Sequence, residues 1–380
     1  MYQWQVICLD KKTGKEIWKQ QALEAKPRIP THGSNTFATE TPVCDGERLY
    51  VYFGMMGVFC YDLDGKLLWQ KDLGSFPMMA GWGTASSPVL EGEKLFLQID
   101  NEQKSFLVAL DRKTGKELWR VERDEKTNWG TPMVWKNSQR TELITLGGKK
   151  IRSYNPDDGK LLWELNNGGS RCCATPVGTH DVLYVGSSPN MGGGGGGMRG
   201  GPGGGGGGGN KEENKEGEEG RLPGQGRGSI GGSGSAGTLF AIKAGASGDI
   251  SPKAGETTSS GVIWSVARGG VEMASPLVYE GHLYVLGRNG GVVTCLDAKT
   301  GKQVYRERIP GAKSFWASPW AGSGKIYCLD DGGTTHVLQA GPDFKVVSKN
   351  ALDEMFWASP AVADGAVFLR SVDYVYCIKQ

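Results

Sequence analysis

The sequence of 380 residues has little of several features that would place it in a common functional class. No apolar run approaches 18 residues, so no transmembrane helix is predicted. The 43 basic and 41 acidic residues leave a net charge of +2, which gives no basic field for nucleic acid. Motifs of the G-x-S-x-G, H-E-x-x-H and P-loop types are absent. These absences disfavour the common hydrolytic and nucleotide-binding enzymes.

Metal ligands are scarce as well. Histidine occurs four times, at the dispersed positions His32, His180, His282 and His336. A metal site needs several ligands that converge, and no spacing here predicts convergence. The eight cysteines form no C-x-x-C pair and no C-x-x-C-H haem motif. We therefore predict no metal site and no catalytic residue.

What the sequence does contain is a repeat that opens on a Ser-Pro or Thr-Pro step. Seven prolines mark these steps: Pro42, Pro88, Pro132, Pro176, Pro276, Pro319 and Pro360. Subtraction of the residue numbers gives spacings of 46, 44, 44, 100, 43 and 41. A period of about 40–45 residues built from short strands is typical of a β-propeller, in which each repeat is one four-stranded blade.

Most repeats close on the motif Asp-x-x-Thr-Gly-Lys-x-x-Trp or a variant of it. The five copies are Asp10–Trp18, Asp62–Trp69, Asp111–Trp119, Asn155–Trp163 and Asp297–Tyr305. Glycine suits a positive φ and Asp can bond the turn backbone, so the motif predicts the turn from the third strand to the outer strand. The aromatic residue that follows is expected to pack against the neighbouring blade. The motif is thus interpreted as a structural dock, and its carboxylates are not paired as acid and base.

The repeats predict one all-β domain over residues 1–380. Residues 1–7 and the last residues both resemble third strands, so we expect an eight-bladed ring that is cut inside blades, with seven blade starts and an N-terminal half blade. The spacing of 100 residues between Pro176 and Pro276 is longer than the period of the other repeats. It predicts a disordered Gly-rich insertion, residues 191–236, within blade four. A second, shorter insertion at about 245–260 is expected to lengthen a later turn. A monomer is expected.

Alignment of the repeats assigns most cysteines to packing positions. Cys8, Cys60, Cys295 and Cys377 align with Ala109 and other small residues, which predicts a small side chain between packed sheets. The adjacent pair Cys172-Cys173 has two interpretations. It is either two small residues at a strand start or a redox pair beside a ligand.

Ligands of propellers usually meet the ring at the mouth of the central channel, where first strands begin. Three residues before each marked proline lie Thr39, Ala85, Trp129, Cys173, Met273, Trp316 and Trp357. The three tryptophans among these residues could form a stacking floor for a flat ligand or an apolar peptide, or they could plug the channel. The candidate binding residues are Trp129, Arg171, Cys172, Cys173, Met273, Trp316 and Trp357.

The docking motif carries a resemblance to a known family. Ala109–Trp119 follows the pattern Ala-x-Asp-x-x-Thr-Gly-Lys-x-x-Trp, and Cys8–Trp18 and Cys295–Tyr305 follow it nearly. These repeats resemble the pyrroloquinoline-quinone-like (PQQ-like) β-propeller family over essentially the whole chain. One branch of that family holds quinone- and calcium-binding alcohol dehydrogenases with a vicinal disulfide. The other holds non-catalytic exported propellers, including BamB-like outer-membrane assembly factors, which this chain resembles more.

The resemblance implies a non-catalytic scaffold that binds a protein or peptide partner in the cell envelope, in the periplasm or elsewhere outside the cytoplasm. No cofactor is expected on that interpretation. Two alternatives stay open, because fold alone does not choose among them. One is a PQQ-dependent dehydrogenase with calcium, and the other is a propeller that binds a small ligand or glycan.

Overall fold

The computed structural model describes residues 1–168, 171–187 and 237–379, and the predicted insertion at 191–236 lies outside them. The described residues form an all-β propeller, with two single-turn 3-10 helices at Gly54–Met56 and Met79–Gly81. None of their helices is long or apolar enough to cross a membrane. The strands make eight sheets within these ranges, and seven of the sheets follow the seven proline marks.

The N-terminal sheet and blades one to three contain the first fourteen strands. The N-terminal sheet pairs β1 (Tyr2–Leu9) with β2 (Glu16–Ala25). Blade one has β3 (Val43–Cys44), β4 (Arg48–Tyr52), β5 (Val58–Asp62) and β6 (Leu67–Lys71). Blade two has β7 (Val89–Glu91), β8 (Lys94–Ile99), β9 (Ser105–Asp111) and β10 (Glu117–Arg123). Blade three has β11 (Met133–Lys136), β12 (Thr141–Leu146), β13 (Lys150–Tyr154) and β14 (Leu161–Asn166).

Blades four to seven continue the same antiparallel order. Blade four has β15 (Val177–Gly178), β16 (Val182–Gly186), β17 (Thr238–Lys243) and β19 (Val262–Ala267), and β18 (Gly248–Asp249) joins blade three. Blade five has β20 (Leu277–Tyr279), β21 (His282–Leu286), β22 (Val292–Asp297) and β23 (Gln303–Arg308). Blade six has β24 (Trp320–Gly322), β25 (Lys325–Leu329), β26 (Thr334–Gln339) and β27 (Val346–Ala351). Blade seven has β28 (Ala361–Ala363), β29 (Ala366–Arg370) and β30 (Val375–Lys379).

The structure confirms the four-stranded propeller blade. The first strand of blade five, β20, begins after Pro276, because Pro has no N–H to donate to a ladder. Glu280-Gly281 forms the turn between β20 and β21, with φ values of 47° and 75°. The exposed Lys11–Asp364 ion pair joins the turn of the N-terminal sheet to blade seven.

The docking motif forms the predicted turn and also a specific inter-blade joint. The Asp111 carboxylate accepts hydrogen bonds from the Thr114 hydroxyl and amide, and these bonds lower the pKa of Asp111. The Trp69 indole of blade one then covers this turn: its N–H donates to the Arg112 carbonyl at 3.1 Å, and its ring lies against Gly115. Each such indole therefore joins its own blade to the turn of the next blade.

Three further joints repeat this contact. The indoles of Trp18, Trp119 and Trp264 donate to the carbonyls of Leu63, Pro156 and Ala298 at 2.8–3.2 Å. The same rings lie against turn glycines Gly65, Gly159 and Gly301. Burial of one Trp removes roughly 150–250 Å² of surface from water. At about 25 cal/mol/Å², the stabilising free energy of each joint is at most some 4–6 kcal/mol.

The joint between blades three and four is built differently. The Trp163 indole donates to Glu142 of its own blade at 2.7 Å, because the shorter insertion replaces the expected glycine turn. The expectation that this insertion only lengthens a turn was incomplete. It forms β18, which pairs in parallel with β14 through Trp163↔Gly248 and Glu164↔Asp249. Strand pairing thus takes the place of the indole dock at this joint.

The repeated Ser/Thr-Pro step has a second role that the sequence did not reveal. At five of the seven marked prolines, the backbone N–H of the preceding residue donates to the hydroxyl of the equivalent residue in the next marked blade. Five such bonds of 2.9–3.0 Å are present: Thr41 to Ser87, Ser87 to Thr131, Thr175 to Ser275, Ser275 to Ser318, and Ser318 to Ser359. This hydroxyl relay links the first strands around the channel at five of the six junctions between marked blades.

We predict that the glycine turn tolerates a side chain only where no indole covers it. Gly115 and Gly14 share φ values near 70°, but an added Cβ at Gly115 would lie 2.6 Å from Trp69, whereas Gly14 has nothing within 4 Å. Gly14→Ala should cost about 1 kcal/mol for backbone strain, and Gly115→Ala about 2–4 kcal/mol. Urea unfolding measures both, and equal losses would contradict the joint.

The relay predicts a second stability difference. Ser275→Ala removes the acceptor of the Thr175 N–H and should cost about 1–2 kcal/mol, because that N–H is partly buried. Ser275→Thr keeps the hydroxyl and should stay close to wild type. If the two variants unfold at the same urea concentration, the relay contributes nothing to stability.

Candidate functional site

The seven positions that lie three residues before the marked prolines converge at one mouth of the channel. All seven line a single cavity of about 320 Å³: Thr39, Ala85, Trp129, Cys173, Met273, Trp316 and Trp357. The hydroxyl relay holds the starts of the first strands together there, at five of the six junctions between marked blades. The cavity is therefore assembled by the repeat itself, one side chain from each marked blade.

Two indoles form one side of this mouth cavity. Trp82, which follows the 3-10 helix Met79–Gly81, lies 5.6 Å from Trp129 between ring centroids, with the planes at 30°. Trp129 is buried, and its indole N–H donates to the Gly83 carbonyl at 3.0 Å. Sequence reasoning missed Trp82, since it lies six residues before its proline and outside the repeated position.

A second pair of indoles lies across the cavity. Trp316 and Trp357 are stacked, with centroids 5.0 Å apart and planes at 24°. The Arg288 guanidinium lies 4.4 Å from the centre of the Trp316 ring, a distance suited to a cation–π contact. Trp357 remains 40% exposed. This pair consequently presents an aromatic surface to solvent, unlike the buried Trp129.

A polar segment after β2 forms the rim. His32, Ser34 and Asn35 line the same cavity as the indoles. The Asn35 amide donates to the Trp82 carbonyl at 2.8 Å, and the Thr39 hydroxyl bonds the Asn35 side-chain oxygen. The segment is thereby fixed beside the aromatic floor, which gives the cavity an apolar base and a hydrogen-bonding edge.

The predicted residues Arg171 and Cys172 do not line the cavity. Cys172 is buried, its N–H donates to the Asn128 side-chain oxygen at 2.9 Å, and its Sγ lies near the Gly186 carbonyl. Arg171 donates to the Thr127 carbonyl at 3.1 Å. Only Cys173 of the pair faces the mouth, and all eight cysteines are free thiols. Burial raises the pKa of Cys172 to about 12 and of Cys173 to about 11, so neither is an activated thiolate.

Asn128 orients the two strand starts on this side. Its side-chain oxygen accepts from the N–H groups of Trp129 and Cys172, at 3.0 and 2.9 Å. Its amide donates to the Leu146 carbonyl at 2.5 Å. The Asn128 side chain therefore holds the backbone of the adjacent Trp129 in place.

A buried carboxyl lies directly behind the mouth. Glu40, next to Thr39, is 7% exposed, and its Oε1 has no hydrogen-bond partner among the described residues. Burial raises the pKa of Glu40 to about 7, and a hydrogen bond from Thr84 opposes that change. The nearby Ser86 hydroxyl is also buried without a partner in the described part of the chain.

Comparison with known proteins agrees with this architecture. A family model described as "Outer membrane protein assembly factor BamB" matches residues 4–191. The protein of that name from Burkholderia pseudomallei (strain K96243) is 33% identical over 113 residues, 29% of this chain. The chain belongs to the PQQ-like, BamB-like β-propeller family. The matched region spans 28% of the length of that curated relative.

Solved structures support the fold. The crystal structure of BamB from Moraxella catarrhalis superposes with a TM-score of 0.62 at 12% identity, covering 96% of this chain and 88% of that one. A europium-containing methanol dehydrogenase gives 0.52 at 14% identity, covering 86% of this chain and 73% of that one. At such identities the likeness shows the propeller fold alone.

The described lining of the mouth cavity holds no carboxylate. Calcium is bound mainly by carboxylate and carbonyl oxygens. No Asp or Glu is among the described residues that line the mouth cavity, where the polar side chains carry hydroxyls, one amide, one imidazole, one thiol and indole N–H groups. No group of three or more His, Cys, Asp or Glu residues suited to a metal was found in the described part of the chain.

Glu40 predicts a pH-dependent stability. Its folded pKa of about 7 exceeds the ordinary 4.5, so its contribution is fully present below pH 4.5 and is lost as pH rises through 7. The free energy of unfolding of Glu40→Gln, relative to that of wild type, should therefore increase by on the order of 3 kcal/mol between pH 4.5 and pH 8. Urea unfolding at both pH values measures this. The exposed Glu47→Gln is the control, and an equal pH response would contradict the assignment.

Proposed function

We propose that the protein is a non-catalytic scaffold that binds a protein or peptide partner at the mouth of its channel. The observation that carries the proposal is the convergence of four indoles on one cavity: Trp82, Trp129, Trp316 and Trp357. Trp is enriched where interfaces bury an anchor, because it offers a large apolar area at little cost in side-chain entropy. The absence of activated thiols and carboxylates from the described lining supports binding over catalysis.

The geometry suggests which part of a partner enters. A cavity of about 320 Å³ accepts one or two apolar side chains but not a folded domain. An aromatic or aliphatic residue would stack on Trp316 and Trp357, while its peptide groups would reach the Asn35 and Thr39 side chains at the rim. The partner is accordingly an extended or loop segment with an apolar tip.

The compartment is part of the same proposal. The matching family model and the Burkholderia relative are both named for outer-membrane protein assembly. We infer that this chain works in the cell envelope, outside the cytoplasm, and that its partner belongs to outer-membrane assembly.

A small flat ligand is a second candidate. The stacked, partly exposed Trp316–Trp357 pair supports it, because a planar ring or a sugar face could continue the stack. The Arg288 side chain over Trp316 would favour an anionic ligand.

The variant Trp357→Ala tests whether the partner binds at the mouth. This residue is 40% exposed, so its removal should preserve the fold yet weaken capture of envelope proteins, or of an apolar peptide, about tenfold or more. Ile263→Ala, at 38% exposure on an outer strand, is the matched control and should bind like wild type.

Titration with PQQ and calcium, followed by dye-linked alcohol oxidation, separates the alternatives. Binding with turnover would overturn the scaffold proposal. Saturable binding of a glycan or flat ligand, lost in Trp357→Ala, would favour the second candidate.

A further inference from the structure

One position at the end of the outer strand differs between blade four and the other blades. It lies four residues after the aromatic residue of the docking motif. Its side chain is buried in blades one, two, three and five, where the residues are Leu73, Arg123, Asn167 and Ile309. The equivalent Arg268 of blade four is exposed. A side chain that belongs to the interior in four blades is thus in contact with solvent in the remaining one.

The backbone of blade four turns earlier than that of blade two. Strand β10 continues through Arg123, whereas β19 ends at Ala267. The Gly269 N–H donates to the Val266 carbonyl at 3.2 Å, and this turn holds Arg268 at a φ of 61°. Residues with a side chain seldom adopt a positive φ, and those that do are frequent at binding sites. The turn therefore explains why Arg268 leaves the buried position.

Between blades two and three, arginine–carboxylate pairs fill the cleft. The Arg123 guanidinium binds the Asp100 carboxylate at 2.8 Å, with both side chains fully buried, and donates to the Thr145 hydroxyl of blade three at 2.7 Å. The Arg152–Glu125 pair, at 2.6 Å, belongs to the same cleft. Burial of these charges is tolerated because each arginine has a carboxylate partner.

Blade four keeps the arginine without such a carboxylate. Glu125 lies four residues before the mouth residue Trp129, and the equivalent residue before Met273 is Gly269. Among the described residues, Arg268 forms no ion pair and no side-chain hydrogen bond. The group that would neutralise this arginine in the manner of blades two and three is therefore missing from the described chain.

A cavity of about 310 Å³ lies between blades four and five, at the place of those side chains. Gly269 lines this four–five cavity. The cross-strand pair Val285↔Thr294 also lines it, and the equivalent pair between blades two and three is Thr145↔Arg152. The smaller residues of blades four and five thus leave open the volume that charged side chains occupy between blades two and three.

The charges around the four–five cavity favour an anion. Arg268 of blade four and Arg306 of blade five both line it, both are exposed, and neither has an ion-pair partner in the described part of the chain. Glu272 is the one acidic residue of the described lining, and its Oε2 already accepts from the Arg288 N–H at 2.9 Å. A guanidinium binds a carboxylate through paired, charge-assisted hydrogen bonds, so a carboxylate suits this cavity.

The remaining lining suits a peptide chain. Five glycines lie along the cavity, so that a second backbone can approach closely: Gly237, Gly269, Gly270, Gly287 and Gly301. Val292 and Leu296 contribute an apolar wall beside them. A segment that carries an acidic residue next to an apolar one matches both the charge and the wall.

We propose that the four–five cavity binds an acidic peptide segment of a protein partner. Arg268 and Arg306 bind its carboxylate, which takes the role that Glu125 has between blades two and three. The apolar neighbour of that carboxylate packs on Val292. The described linings of this cavity and of the mouth cavity have no residue in common, so the proposal does not depend on the function of the mouth.

The probe for this site is a short, acetylated and amidated peptide of alternating Glu and Val. Calorimetry with the full chain should show saturable one-to-one binding that weakens as NaCl is added, because salt screens the ion pairs. Methyl NMR should show shifts at Val285 and Val292, which line the cavity. The same peptide with Gln in place of each Glu keeps the shape without the charge, and it should not bind.

Variants of the protein locate the peptide. Arg268→Gln and Arg306→Gln change exposed side chains and should each weaken binding about fivefold or more. Arg370→Gln, at an exposed arginine of blade seven, is the matched control and should bind like wild type. Trp357→Ala at the mouth should also bind like wild type.

Four outcomes would overturn the proposal. They are the absence of saturable binding, equal affinities for the Glu and Gln peptides, equal affinities of Arg268→Gln and Arg370→Gln, and loss of binding in Trp357→Ala. The last of these would place the acidic peptide at the mouth. Failure of the mouth to bind an apolar peptide would leave this proposal standing, because the two sites are tested with different probes.

Discussion

The contact of an indole with a glycine turn is the interaction on which the ring depends. A blade with strands of two to ten residues buries too little surface to be stable alone, so its free energy comes from the joints with its neighbours. Trp69 over Gly115 shows the requirement at its strictest, since an added Cβ at 2.6 Å leaves room only for glycine. The Asp111 and Thr114 bonds then hold the turn in the shape that the indole covers. The motif is conspicuous in the sequence because turn and joint depend on the same residues.

This dependence explains why the joint between blades three and four has a different structure. Between blades three and four the indole dock is lost, and no relay bond links Thr131 to Thr175 in the described part of the chain. The pairing of β18 with β14 supplies backbone bonds instead, supported by the Trp135 indole bond to the Thr179 carbonyl at 2.7 Å. The joint that lost both regular contacts has therefore gained two others, which keeps the ring continuous beside Cys172 and Cys173.

The sequence predicted those parts of the structure that follow from its period. The blades, the turn motif and the convergence of Trp129, Trp316 and Trp357 all follow from counting residues relative to a marked proline. Trp82 and β18 were not predicted, because both lie in segments whose length departs from the period. Glu40 was missed for another reason: its burial depends on how blades one and two pack, and no local pattern signals that. Arg171 and Cys172 were placed at the mouth by adjacency alone. Cys172 faces away because adjacent residues of an extended segment face opposite sides, and the Arg171 guanidinium donates to the Thr127 carbonyl instead.

The channel mouth arises from one geometric rule of the repeat. Because each blade contributes the same position to the channel mouth, a change of residue type there alters the site without altering the fold, as Ala85 and Trp129 show in adjacent blades. The hydroxyl relay holds the starts of the first strands at that mouth. The repeat that specifies the fold therefore also positions the residues of the candidate site.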